Sequence, residues 1–165
     1  MMADSLLLPE CVFHSGTLGG LMTLYESNFI KLTQLIENME SLLLGNSNKY
    51  TSYTDLDCDL HMAIIKKERY TTTLTLTYEF SVDNGKGFSE SVLDPDLTIR
   101  IYHDAKLVDV VDSTNISKHQ HRKLHEISQL QSHELSARWK RNMMLNKWLD
   151  YLLDMEHSFS GFMNE

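Results

Sequence analysis

The strongest constraint on this chain is a strict alternation of apolar and polar residues, met twice. Leu56, Cys58, Leu60, Met62 and Ile64 alternate with Asp57, Asp59, His61 and Ala63. Successive side chains of a strand point to opposite faces, so this pattern predicts a strand with one buried face. Lys66-Lys67-Glu68 reads as a turn. The return strand sets Leu74, Leu76, Tyr78, Phe80 and Val82 against Thr71, Thr73, Thr75, Thr77 and Glu79. Keeping both apolar rows on one side demands an odd-numbered loop between the strands, of three or five residues. Asp83-Asn-Gly-Lys-Gly then breaks the pattern, and an irregular connection is expected to run to Pro95.

The second alternation lies in residues 97–112, which read as a hairpin turning at His103–Lys106. Placing Tyr102 opposite Leu107 pairs Ile101 with Val108 and Ile99 with Val110 on the core side. The other side then pairs Arg100 with Asp109 and Thr98 with Val111. Opposite charges across a strand pair add about 0.2–1 kcal/mol, so charge and hydropathy favour one register.

Helical spacing flanks the strands. Thr23-Leu-Tyr-Glu26 has the form of a capping box, and Tyr25, Phe29, Leu32, Ile36, Met39 and Leu43 follow at three- and four-residue steps as far as Gly45. Asn46–Tyr53 reads as a loop. After the polar stretch 112–121, Leu145, Trp148, Leu149, Leu152 and Met155 form a second stripe. Ile127, Leu130, Leu135 and Trp139 fit less regularly upstream, with Ser132 as a possible second start, so one bent helix or two are expected. The expected fold is α+β: a four-stranded antiparallel meander, covered on one face by an N-terminal helix and one or two C-terminal helices. Residues 1–20 read as an extension, poorly ordered or docked, 21–158 as one domain, and 159–165 as a frayed tail.

The 165 residues, 42% of them apolar, suffice for a core without staples. Cys11 and Cys58 are too far apart for a C-x-x-C pair and too few for a disulfide framework. Leu6-Leu7-Leu8 follows Asp4 with no basic residue before it, a poor leader, and no apolar run has the length of a membrane span. A cytoplasmic location is the expectation. A net charge of −8 argues against a nucleic-acid coat.

Four stretches together resemble the YqiB-like family of uncharacterised bacterial proteins, a domain of unknown function. They are Glu26-Ser-Asn-Phe29, Arg69-Tyr-Thr-Thr72, Thr98-Ile-Arg-Ile-Tyr-His-Asp-Ala105 and Trp148-Leu-Asp-Tyr151. They occur in the family's order across roughly residues 22–157, while the Gly85–Val92 loop is longer than the family pattern. The resemblance implies a single bacterial cytosolic domain and brings no activity, substrate or catalytic residue.

The residues with chemistry to offer fall into a few groups. Arg100, Tyr102, His103 and Asp104 crowd the central hairpin, and a His beside an Asp can serve in general acid–base catalysis. Strand alternation, however, sends neighbours to opposite faces and gives Arg100 a structural partner in Asp109. Arg69 and Tyr70 open the strand beside them, and Asn28 sits on the first helix as a packing residue or a ligand-orienting amide. His121 and His125 share chelating spacing within a group that includes His119 and His133, yet no H-E-x-x-H occurs and no cysteine completes a site. Asp55, Asp57 and Asp59 on one strand face would stand nearly 7 Å apart per step, too far to share a cation unaided. Seven cations between 118 and 147 face only Glu126 and Glu134, a basic segment without an RNA-binding signature. No phosphate loop, dinucleotide fingerprint or nucleophile elbow occurs.

The leading expectation is a small cytosolic interaction or regulatory module, without catalysis, cofactor or metal, that binds a protein partner or small ligand. The alternative is a small-molecule-binding protein or enzyme with a pocket near Arg69, Tyr70, Arg100, His103 and Asn28. RNA binding through 118–147 is the third. Oligomeric state is not legible.

Overall fold

The computed structural model describes residues 16–83, 85–87, 89–113 and 127–160, with the side chains of 112, 113 and 127–133 excepted. In chain order the elements are α1 (Leu18–Leu35), α2 (Met39–Leu44), β1 (Lys49–Ser52), β2 (Leu60–Lys67), β3 (Thr71–Asp83), β4 (Ser89–Tyr102), β5 (Leu107–Ser113) and α3 (Ile127–Asp154). The strands form one antiparallel sheet in the order β1-β2-β3-β4-β5. The α+β meander is as expected, but it has five strands rather than four, because Lys49–Ser52 pairs with β2 instead of looping.

Leu60, Met62, Leu74, Leu76, Leu97, Ile99, Ile101, Val108 and Val110 line the buried face. Leu32, Leu35, Leu145, Leu149 and Leu152 of α1 and α3 close over them in the same core. The rows alternate because one face is covered and the other is not.

The register of the central hairpin is the expected one from Ile99 to Tyr102, including Arg100 opposite Asp109. It shifts beyond that: Thr98 pairs with Asp112 rather than Val111. The β2–β3 hairpin meets its parity requirement in an unexpected way. Glu68–Tyr70 join the strands, and an irregularity between Ile64 and Lys66 absorbs one residue at Ile65, leaving Ile64 opposite Leu74. Such a bulge lets a strand keep its apolar row inward while its end changes register.

Other expectations are corrected. β2 starts at Leu60, so Leu56 is exposed in a turn rather than buried in a strand. The chain from Ser89 to Pro95 is strand, not irregular connection, and it extends β3–β4 into a hairpin arm. Thr23 does not cap a helix. α1 starts at Leu18, where the Thr17 side chain accepts from the Gly20 N–H at 3.1 Å, and Thr23 donates to the Gly19 carbonyl within the helix. The first helical stripe is also broken. Ile36 is extended, and Phe159 lies beside it, its N–H donating to Leu35 O at 2.8 Å and its carbonyl accepting from Glu37 N at 3.3 Å. α2 restarts under an Asn38 cap. Phe159, placed by expectation in a frayed tail, is 3% exposed. At the other end, one helix rather than two spans 127–154.

The outer edge of β5 is shielded by side chains of α3. Val110 N–H donates to Asn142 Oδ1 at 3.0 Å, and Arg141 Nε donates to Val110 O at 3.4 Å. An edge strand so engaged has less backbone to offer another chain.

Candidate functional site

The expected site residues separate into three places. At one end of the sheet, the His103 Nε2 lies 2.8 Å from Thr72 Oγ1, and the His103 N–H donates to Tyr70 O at 2.9 Å. Burial pushes the His103 ring below its ordinary pKa, with the Asp104 carboxylate opposing. Arg69 stacks over its neighbour Tyr70, 5.1 Å from the ring centre. Arg69, Thr72 and His103 border an open groove of about 440 Å³ with Glu40, Leu43 and Lys67. One of its lining cations is already engaged: Lys67 Nζ donates to Leu43 O at 2.7 Å and to Gly45 O at 3.1 Å, where a cation suits the negative end of α2. Arg100 and Tyr102, paired with Thr73 and Thr71, stand on the opposite face of the sheet from Ile99 and Ile101. Asp104 is exposed in the turn.

Asn28 is elsewhere. It is fully buried between α1 and α3, donating to Asn142 Oδ1 at 3.3 Å and accepting from Asn146 at 3.0 Å. Asn142 in turn donates to Asp109 Oδ1 at 2.8 Å. Asp109, expected to pair with Arg100, therefore turns its carboxylate to α3, where Arg138 also approaches at 3.6 Å. Burial first, and then the Asp109 charge, raise the pKa of the neighbouring Tyr25 hydroxyl, with Arg138 opposing. This chain of amides is a fully partnered polar seam that fixes how α1, α3 and β5 sit together.

Sequence reasoning missed a third group. Ser52 Oγ lies 3.0 Å from His157 Nδ1, and His157 Nε2 lies 3.2 Å from Asp57 Oδ2. Tyr78 donates a short hydrogen bond to the same Asp57 oxygen, and Tyr151 donates to the other at 3.4 Å. Burial pushes the Asp57 carboxyl up, but Tyr78, the Cys58 N–H and His157 together outweigh it and hold the carboxyl below its usual range. Burial and the Asp57 carboxylate push the Tyr78 hydroxyl far above its ordinary range. Local geometry delivers His157 to this place. α3 ends with Glu156 N–H donating to Leu153 O and His157 N–H to Leu152 O, with Glu156 in the left-handed region at φ 62°. That helix ending turns the chain sharply and aims the next side chain inward.

Serine, histidine and aspartate in one chain of contacts invite comparison with a hydrolase triad, and the details oppose it. The His157 side chain is 0% exposed and that of Asp57 10%. Ser52 is buried and its Oγ accepts from Ser158 N–H at 3.1 Å, so the hydroxyl is committed within the protein. The aspartate sits on Nε2 and the serine on Nδ1, the reverse of the triad's orientation. The group fastens the C-terminal turn to the β1–β2 segment. Tyr78 adds edge-to-face contact with Trp148 at 5.2 Å.

The aspartates expected along one strand face lie in the turn before β2 instead. Asp55 and Asp59 border an open basin of about 720 Å³ with Glu156, while Asp57 points inward. Among the described residues no group of His, Cys, Asp and Glu has metal-binding geometry. His119, His121 and His125 lie outside the described residues, as does the His133 side chain. Lys118, Arg122 and Lys123 of the basic segment also lie outside the described residues. Of its described cations, Arg138 and Arg141 are engaged by Glu134 at 3.0 and 3.4 Å, leaving Lys140 and Lys147 beside an apolar groove. No helix among the described residues is long and apolar enough to cross a membrane.

Comparison with known proteins finds relatives without an assigned activity. The chain is 26% identical over 133 residues to the uncharacterized protein YqiB of Escherichia coli K12, covering 81% of this chain and 86% of that one. The same figures hold for YqiB of Escherichia coli O157:H7. No solved structure matches significantly. The family model described as a protein of unknown function, DUF1249, matches residues 31–158, and the chain belongs to that family.

Proposed function

We propose that this chain is a bacterial cytoplasmic interaction module that works by presenting a surface, with the β3–β4 arm as its binding element. One observation carries this reading. From Glu79 to Asp83 and from Ser89 to Asp94 every described residue is exposed, and Phe80, Val82, Val92 and Leu93 are 36–56% exposed. Phe80, Val82 and Val92 share one side of the arm and continue the apolar row of the core beyond the cover of the helices, while Leu93, opposite Glu79, stands on the other side. Contiguous apolar surface on a projecting hairpin is retained at a cost in solubility, and binding is the usual return. Ser, Asp and Glu alternate with the apolar residues, which blunts indiscriminate pairing. The unpaired Cys58 thiol suits a reducing compartment.

The alternative, a small-molecule site at Arg69, Tyr70 and His103, has the groove beside α2 in its favour. The two readings separate by site-specific photo-crosslinking in bacterial cells. A photoreactive residue at Val82 or Val92 should give discrete adducts, and one at Tyr53 or Tyr70 should not. Adducts at Tyr70 with none on the arm would reject the interaction reading.

A further inference from the structure

Resting on the reading of the arm as the binding element, we propose that its partner is a second copy of this chain. The arm of one copy would seat on the α3 groove of the other. Cross-strand pairs share a face, so Phe80 with Val92 and Val82 with Glu90 lie on the same side of the arm. Glu90 and Val92 share that side of β4, and Asp94 follows two residues on, where the pairing with β3 becomes irregular, giving the series acid, apolar, acid along the strand. At about 3.4 Å per residue the two acidic residues are spaced about 14 Å apart along the strand.

α3 offers the complementary series. Trp139, Met143 and Met144 wall a shallow groove of about 440 Å³, bordered by Lys140 and Lys147. Seven residues of helix separate the two lysines by about 10.5 Å along the axis, within reach of the acid spacing given long flexible stems. Neither lysine has an ion-pair partner among the described residues, whereas Arg138 and Arg141 on the same helix do. Met144 is 42% exposed, and methionine adapts its shape to an incoming apolar side chain.

Charge complementarity names the occupant. The segment from Glu79 to Asp94 carries four carboxylates and one lysine, on a chain whose exposed apolar groove is rimmed by lysines. Both halves belong to one chain, so a two-fold axis would let each copy give its arm and receive its partner's. The contact is thereby made twice, toward the roughly 1,200 Å² that a stable interface needs.

Charge exchange tests this. In sedimentation equilibrium the full chain should dimerise, with Kd rising as salt is added. Lys140→Glu with Lys147→Glu should weaken the dimer about tenfold or more, and Glu90→Lys with Asp94→Lys should do the same. Mixing the two variants should restore wild-type affinity, because each arm then meets a groove of opposite sign. That rescue also shows that both variants are folded. A wild-type chain that stays monomeric at high concentration, or a dimer whose variants are not rescued by mixing, overturns the proposal. A monomer that still yields adducts from Val82 in cells would leave the arm as binding element and reject only the self-pairing.

Discussion

Asp57 anchors more of the C-terminal turn than its place in the sequence suggests. It receives hydrogen bonds from Tyr78 and Tyr151, and His157 Nε2 lies 3.2 Å away. Its carboxyl is held below the ordinary aspartate value of 3.8, so the unfolded chain binds more protons than the folded one around that pH. The resulting stabilisation is complete well above 3.8 and is lost as pH falls through the lowered folded value. Asp57→Asn should cost about 2 kcal/mol at neutral pH, the scale of hydrogen bonds to a charged group. Urea unfolding in a series from pH 7 to pH 3 should show wild type and variant converging on the acid side. Parallel curves would mean that Asp57 is not the titrating group. Nothing local in the sequence announces this group. Ser52 and His157 are 105 positions apart, and Asp57 reads as one more outward acid of a strand that has not yet begun. By contrast His103 and Asp104, adjacent and conspicuous, are respectively a partner of Thr72 and an exposed turn residue.

At the scale of elements, legibility followed the number of residues sharing one pattern. Long alternating rows from Leu60 to Tyr78, and from Leu97 to Val110, are enforced by a whole buried face, and a one-residue slip would expose all of it. Short or exposed pieces escape that rule. β1 has four residues and a polar surround, and the arm alternates only weakly because both of its faces meet solvent. The helix break at Ile36 is invisible locally because its cause, the strand-like approach of Phe159, comes from the far end of the chain. Thr23 is a related case: its hydroxyl bonds to the Gly19 carbonyl four residues back, and the helix start is capped by Thr17, inside the stretch 1–20 that reads as an extension. The α1–α3–β5 seam is equally non-local and converges on Asn142, whose amide meets Asn28, Asp109 and the Val110 N–H. Asn142→Leu would strand a buried carboxylate and a backbone donor, at a cost of about 3 kcal/mol. It should also speed amide hydrogen exchange at Val110 far more than at Ile101, which pairs with Val108 inside the sheet. Equal protection at both amides would show that the β5 edge does not depend on this side chain.

Across the whole molecule the sheet divides into a body that α1 and α3 cover and an arm that they do not. The body holds the buried residues of β3 and β4, which end at Tyr78 on one strand and begin at Leu97 on the other. Beyond them the arm carries acid and exposed apolar side chains, and it buries little of its own surface. Stability and binding should therefore be separable by one deletion. Replacing Ser81–Ser91 with Asn-Gly would close the hairpin directly on the Phe80–Val92 pair, using the two-residue turn that suits antiparallel strands. Because few buried contacts are removed, Tm in calorimetry should fall by no more than about 3 °C, the effect of roughly 1 kcal/mol on a chain of this size. Dimerisation and arm-dependent crosslinking should vanish together, since Val82, Glu90 and the reach of Phe80 are lost while the α3 groove is intact. A shortened chain that still dimerised with the same salt dependence would place the contact elsewhere on the body. A large fall in Tm would mean instead that the arm is part of the fold, with its exposed row needed to hold β3 and β4 in register.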